Sequence, residues 1–181
     1  MIQPQYNPAS GTYTGTQYIY TLSQTGVWSV AQTMPVAGEF FWHAEHGHFH
    51  FPLATFGLYA VAPNGGPGAA VAISPKVGFC IGDSYIYDGS IPNAGAVGNL
   101  LGSCSDPTSL RGLSIGAVDE YDMSDPGQSI PINGVPDGTY WFRAIVDPNN
   151  FLAEPDKTNN EIDVLLKITN SAVQVLSSTR T

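Results

Sequence analysis

Short apolar runs, cut at close intervals by glycine and proline, limit what this chain can fold into more than any other feature. TQYIYTL (16–22), VWSVAQTM (27–34), ATFGLYAVAP (54–63), TYWFRAIVDP (139–148) and EIDVLLKITN (161–170) are rich in β-branched and aromatic residues, and none exceeds ten residues. Turn signals such as NGGPG (64–68) and VPDG (135–138) stand between them. Strands at such spacing predict an all-β fold, an antiparallel β-sandwich with long loops and little helix. The 20 Gly and 14 Pro point the same way.

Along the chain, residues 1 to 16 are polar and rich in Gly and Thr, and are expected to form a flexible arm. Residues 17–170 are expected to make one domain, followed by a tail over 171–181. VAISPKVGFCIGD (71–83) reads as a further strand pair. The stretch from 84 to 110 is a long run of Gly, Asn, Ser and Pro, and loops of that length are functional or disordered. No apolar run approaches the ~18 residues of a membrane span. MIQPQYNPASGTYTG has neither the basic start nor the apolar centre of a signal peptide, so a secreted protein would be seen here in mature or excised form.

The net charge of −9 repels phosphate backbones, which argues against a nucleic-acid partner, and attracts cations, amines among them. Cys80 and Cys104 are the two cysteines. They are either two buried thiols or one bridge, and a bridge would stabilise the fold by roughly 3 kcal/mol and imply an oxidising compartment.

All four histidines fall within WHAEHGHFH (42–50). Side chains alternate faces along a strand, so His46, His48 and His50 would share one face of a strand through this run. His43 has the opposite parity. Three imidazoles suit Zn, Cu, Fe or Ni, and a site with so few protein ligands keeps positions open for water or substrate, as catalytic sites do. The competing reading is a run of ordinary polar strand residues.

WHAEHGHFH resembles the copper-binding signature of the lysyl oxidase family, a Trp-His-x-x-His-x-His-x-His run whose last three histidines bind copper. The resemblance places the ligands at His46, His48 and His50. It continues through KVGFC, where the family has Lys-Ala-Ser-Phe-Cys, and through RGLSIGAVDEY, where it has Gln-Gly-Leu-Ser and a later Tyr. It includes Gln128, the VPDG turn and FRAIVDPNNFLAEPDKTNNE, and spans residues 40 to 168. It implies that Lys76 and Tyr121 are the precursors of a lysine tyrosylquinone cofactor. Considered alone, Lys76 is one of three lysines and lies in an apolar stretch. A buried amine there would lose its proton and become nucleophilic, whereas a surface lysine would keep its charge in water. Tyr121 alone would be one packed aromatic among nine tyrosines.

The implied activity is protein-lysine 6-oxidase-like: a primary amine or peptidyl lysine is oxidised by O2 to an aldehyde, releasing hydrogen peroxide and ammonia. Many members carry Asp three residues after the Tyr, where this chain has Ser124 with Asp125 beside it, so His43 and Asp125 are both candidates for the base. Glu45 is expected to support the site or to lie on the surface. Cys80 and Cys104 match a family pair, which implies a disulfide and, with the family's secretion, an extracellular protein. None of the other cysteines of the vertebrate members remains, so the chain resembles a prokaryotic, minimal member. In AEPDKTNN, Glu154, Asp156, Asn159 and Asn160 match a calcium-binding segment, although the family's upstream Pro-Asp-Leu ligand segment is not recognisable. Similar turns in extracellular β-sandwich modules only cap themselves. Two other functions therefore stand beside the oxidase: a noncatalytic adhesion or assembly module with a structural metal, and a histidine-ligated iron or zinc enzyme without quinone.

Overall fold

The computed structural model describes residues 1–45, 47–76, 78–122, 124–125 and 127–180. The strands are β1 (Ile2–Asn7), β2 (Thr12–Leu22), β3 (Trp28–His43), β4 (His48–Pro52), β5 (Ala54–Val61), β6 (Pro67–Ile73), β7 (Gly78–Phe79), β8 (Tyr85–Ile86), β9 (Ala117–Val118), β10 (Gly138–Val146), β11 (Glu161–Thr169) and β12 (Ala172–Arg180). Among the described residues the sole helical element is a 3₁₀ turn, Gly98–Leu100. The all-β expectation holds. Every pairing between strands is antiparallel, and two five-stranded sheets result, the components from which β-sandwiches are built.

The chain divides into two compact units. The first comprises Met1–Pro52, Gly78–Glu120 and Phe151–Ala153, and the second Leu53–Val77, Tyr121–Asn150 and Glu154–Thr181.

The first unit holds the sheet β1-β2-β3-β4-β7 and the ribbon β8-β9. Its core is aromatic: Phe40, Phe49, Phe51 and Phe79 are buried, and the rings of Phe40 and Phe51 meet at 5.1 Å. Burial of a side chain the size of Phe51 stabilises by ~2–3 kcal/mol. Gly38 is required against this core, because a Cβ there would come within 2.8 Å of the Phe51 ring and 2.6 Å of Phe151. Gln17 is buried and clamps Ala153, donating to its carbonyl and accepting from its N–H at 2.7 Å each.

Residues 1 to 16 depart from the flexible arm expected of them. Asn7 and Gly11 close a turn, with the Gly11 N–H on the Asn7 carbonyl at 2.8 Å and Gly11 at φ +71°. β1 can then pair along β2 from Ile2↔Gln17 to Asn7↔Thr12. Ile2 is buried and exchanges both backbone hydrogen bonds with Arg111, at 2.8 and 2.7 Å. Polar composition concealed this because only Ile2 and Pro4 of β1 face inward.

The second unit holds the sheet β12-β11-β10-β5-β6. β10 is central, with Phe142 opposite Leu58 on one side and Val164 on the other. Leu58, Tyr140 and Ile168 form a buried cluster on one face, joined by Ala72, Ile130, Val135, Phe142 and Leu166. On β10 and β11, Arg143 grips Asp163 through two hydrogen bonds of 2.8 and 2.9 Å and reaches Glu161 at 2.8 Å. Within the stretch 171–181 expected as a tail, Ala172–Arg180 forms β12, which folds back on β11 from Thr169↔Ala172 onward. The two units draw on the N-terminal strand and β12 as well as on residues 17–170.

Candidate functional site

The histidine run is a hairpin. β3 ends at His43, β4 begins at His48, and the Gly47 N–H reaches the His43 carbonyl at 2.9 Å with Gly47 at φ +65°. The expectation of one unbroken strand through residues 46–50 is therefore corrected, and the reason is the left-handed conformation that glycine permits. His46 lies outside the described residues. For His48 and His50 the parity argument holds within β4. For His43 it fails, because the turn resets the phase: His43 stands directly opposite His48, Trp42 opposite Phe49 and Phe41 opposite His50. Directly opposed residues share a face, so His43, His48 and His50 lie on the same side.

His50 is 2% exposed and stacks on His43, with ring centroids 4.9 Å apart and planes 14° from parallel. The His48 and His50 rings are 6.5 Å apart, within a side-chain rotation of a shared ion. Beside them, Gly78 of β7 takes the place of the Ser in the Lys-Ala-Ser-Phe-Cys pattern. A Cβ at Gly78 would collide with the Phe41 ring and lie 3.1 Å from His50 Cβ. The Phe49 N–H donates to the Cys104 carbonyl at 2.8 Å. Cys104 is joined to Cys80 in a disulfide with Cα atoms 5.8 Å apart. The bridge therefore fastens Cys80, which follows β7, to the same loop that hydrogen-bonds the strand presenting His48 and His50. Glu45 is exposed in the turn.

In the second unit, Lys76 and Tyr121 come together. The Lys76 ammonium lies 5.0 Å from the centroid of the Tyr121 ring. Both side chains are half-buried, so the deep apolar site expected for Lys76 is only partly realised. The approach of Lys76 is set by Ser74, whose N–H holds the Phe56 carbonyl at 2.8 Å and whose hydroxyl accepts the Lys76 N–H at 3.3 Å. Gly127, at φ +82°, lies alongside the aliphatic stem of Lys76. After Tyr121 the chain makes a tight turn in which the Asp122 N–H donates to the Asp125 carboxylate at 3.0 Å and the Asp125 N–H to the Asp122 carbonyl at 3.1 Å. The hydroxyl and N–H of Ser124 both donate to Asp122 and hold its carboxyl below the usual carboxylate range.

A cavity of about 390 Å³ opens beside Tyr121 in this unit. Strand partners spaced by two residues line it, Phe56 and Leu58 on β5 and Leu166 and Ile168 on β11. The period-two pattern was visible in the sequence, but it marks an inward face without telling a filled one from a hollow one.

The profile of the lysyl oxidase family matches residues 16–178 of this chain. The chain belongs to the lysyl oxidase family. It is 30% identical to lysyl oxidase homolog 2 of Bos taurus over 119 residues, which is 66% of this chain and 14% of that protein. It is 31% identical to lysyl oxidase homolog 1 of Homo sapiens over 121 residues, covering 67% of the chain and 19% of the relative. With lysyl oxidase homolog 3 of Homo sapiens it shares 30% identity over 142 residues, 72% of the chain and 16% of the relative. The chain thus spans under a fifth of the length of these relatives.

The donors on the described residues fit the metal and cofactor of a lysyl oxidase in part. His48 and His50 supply imidazoles on one strand, the remaining expected ligand is His46, and Lys76 and Tyr121 are neighbours. Among the described residues, no group of three or more His, Cys, Asp or Glu is placed to hold an ion. The carboxylates expected at a calcium site are engaged otherwise. Asp156 accepts from the N–H and hydroxyl of Thr158 at 2.9 and 2.6 Å, closing its own turn. Glu154 accepts from the Asn160 amide at 2.6 Å, and Asn159 is exposed. The Lys157 ammonium stands 3.5 Å from both the buried Asp147 and Glu154, and so brings positive charge to one of the carboxylates expected at a calcium site. Sequence reasoning missed Asp147 and Lys157, since their pairing depends on a chain reversal at Asp147, which adopts φ +45°. Among the described residues, no helix is long and apolar enough to cross a membrane.

Proposed function

We propose that this lysyl oxidase family member is a copper- and quinone-dependent amine oxidase that converts primary amines to aldehydes. The observation that carries the reading is the Lys76 ammonium 5.0 Å from the Tyr121 ring centroid, in a family whose signature residues recur in this chain. A lysine beside one tyrosine is the juxtaposition that a crosslinked cofactor requires. The bland alternative, a cation resting on an aromatic face, explains the contact but not the histidine hairpin.

The roles follow from chemistry. His46, His48 and His50 would hold copper through neutral imidazoles. Lys76 and Tyr121 would supply the lysine tyrosylquinone, and copper with the quinone would provide the two-electron chemistry. One amine, one O2 and one water then give one aldehyde, one ammonia and one hydrogen peroxide. Asp125, four residues past Tyr121, would hold the substrate ammonium or accept its α-proton. His43, stacked on His50, would steady that ring. The Cys80–Cys104 disulfide favours an oxidising, extracellular setting.

The test is peptide mapping by mass spectrometry after the full chain is incubated with copper and O2. A covalent Lys76–Tyr121 peptide pair is expected, together with peroxide release on addition of a primary amine, both lost in Tyr121→Phe. Recovery of both peptides unmodified from copper-loaded protein would refute the proposal and leave the noncatalytic module as the better reading.

A further inference from the structure

The cavity beside Tyr121 belongs wholly to the second unit, and its residues can be weighed against the chemistry of an incoming amine. Its volume of about 390 Å³ lies in the range of small-ligand sites. β5 supplies Phe56 and Leu58, β10 supplies Phe142, β11 supplies Ile168, and the segment after the Tyr121 turn supplies Ile130 and Ile132. Ser74, Tyr121, Gln128 and Ser129 are the polar residues in the lining, and among the described residues it contains no carboxylate, lysine or arginine. A second ammonium pushed into such a space would be stripped of water without a counter-charge, which is strongly unfavourable. At Tyr121 itself the balance reverses, for Asp122 and Asp125 follow it in one tight turn. The chain as a whole carries −9. The lining thus suits a hydrocarbon, while the turn that follows Tyr121 adds two carboxylates close to the Lys76 ammonium at the Tyr121 ring.

From this juxtaposition we infer that the cavity binds the carbon chain of a hydrophobic primary monoamine, an arylalkyl or medium-chain alkyl amine, with its ammonium held at the Asp122–Asp125 turn beside Tyr121. The inference rests on the amine oxidase reading for its choice of amine, and it narrows the substrate class to free hydrophobic amines in preference to diamines. The reaction is the one already balanced, with O2 as oxidant. The cavity contributes affinity and orientation. Each methylene buried adds about threefold to fourfold in binding, so the rate constant kcat/KM climbs with chain length until the cavity is full.

Two measurements test this and separate it from the oxidase assignment. In copper-loaded, O2-treated protein, kcat/KM is expected to rise from methylamine to hexylamine by more than tenfold. 2-Phenylethylamine is expected to exceed 1,5-diaminopentane and a lysyl peptide by at least tenfold. Val173 lines the cavity and is 59% exposed, so Val173→Arg is tolerated by the fold and sets a cation at the opening. That variant is expected to lose more than tenfold on 2-phenylethylamine and to flatten the rise from methylamine to hexylamine. A flat chain-length profile, or a preference for the diamine or the lysyl peptide, would overturn the inference while leaving the oxidase reading intact. The second measurement needs no cofactor. Titration of metal-free protein with 2-phenylethylamine, followed by amide NMR, is expected to shift Ser129, Ile130 and Ile132 saturably, and to do so less in Val173→Arg. Shifts without any turnover would support the cavity assignment and count against the oxidase, whereas their absence at millimolar amine would count against the cavity.

Discussion

Arg111 gives the sharpest stability prediction. Its side chain is 1% exposed. One guanidinium nitrogen donates to the Ser103 carbonyl and the Ser109 hydroxyl, and the other to the Asp106 carbonyl at 2.7 Å. Burial lowers its pKa, a sign that the charge is held at a cost. Arg111→Met keeps the length of the side chain and removes its charge and donors. Acceptors that lose buried donors cost ~1–3 kcal/mol each, and relief from burying a charge returns several kcal/mol. The net expectation is a loss of ~2–4 kcal/mol. The same 103–109 loop is held independently by the disulfide, whose closure of a 24-residue separation is worth about 3.5 kcal/mol in the chain-entropy model. Either anchor can keep Cys104 against Phe49, so removal of both is expected to cost more than the sum, by ~0.5–3 kcal/mol. Urea melts of the wild type, Arg111→Met, the Cys80→Ser/Cys104→Ser pair and the combination complete the cycle. Amide exchange at Phe49 is expected to quicken most in the combination. Strict additivity, or an unchanged Phe49 amide, would refute the idea that the two anchors share one task.

Two further expectations follow from the second unit and the turns. Lys157→Ala leaves the buried Asp147 without its nearby ammonium and, since Lys157 itself is 39% exposed, is expected to cost only ~1–2 kcal/mol. Calcium should then raise the melting temperature of the variant more than that of the wild type, and equal response in both would show that Lys157 does not occupy the role of an ion. Asp88, Asp106, Asp122 and Asp156 each accept hydrogen bonds from a Ser or Thr two residues on, which lowers their pKa below the ordinary 3.8. A depressed carboxyl stabilises above its unfolded pKa and loses that contribution as pH falls through the folded value. Thermal melts should therefore weaken below about pH 3.8, and less so in Asp122→Asn than in wild type; identical acid profiles would remove Asp122 from the account.

Much of the fold was legible in the residues themselves. Apolar runs of β-branched and aromatic residues favour strands, because a pleated half-buried surface suits them. TYWFRAIVDP and EIDVLLKITN accordingly became β10 and β11. The polar ends were not legible: β1 and β12 exist because neighbouring strands offer them hydrogen bonds, a property of the partner and not of their own composition. The histidine cluster stood in the sequence as types and spacings that suit a metal, whereas Lys76 and Tyr121 were singled out by the family resemblance. Which face His43 occupies was not determined there, since a left-handed Gly47 converts one strand into a hairpin and reverses the parity. Nor did spacing alone reveal that Lys76 lies over Tyr121, that Lys157 joins Asp147 to Glu154, or that an apolar face beside Tyr121 is left hollow. Composition and periodicity are local quantities and decide which residues turn inward. Which of those residues meet, and whether they fill the space between them, depends on pairings made across long stretches of chain.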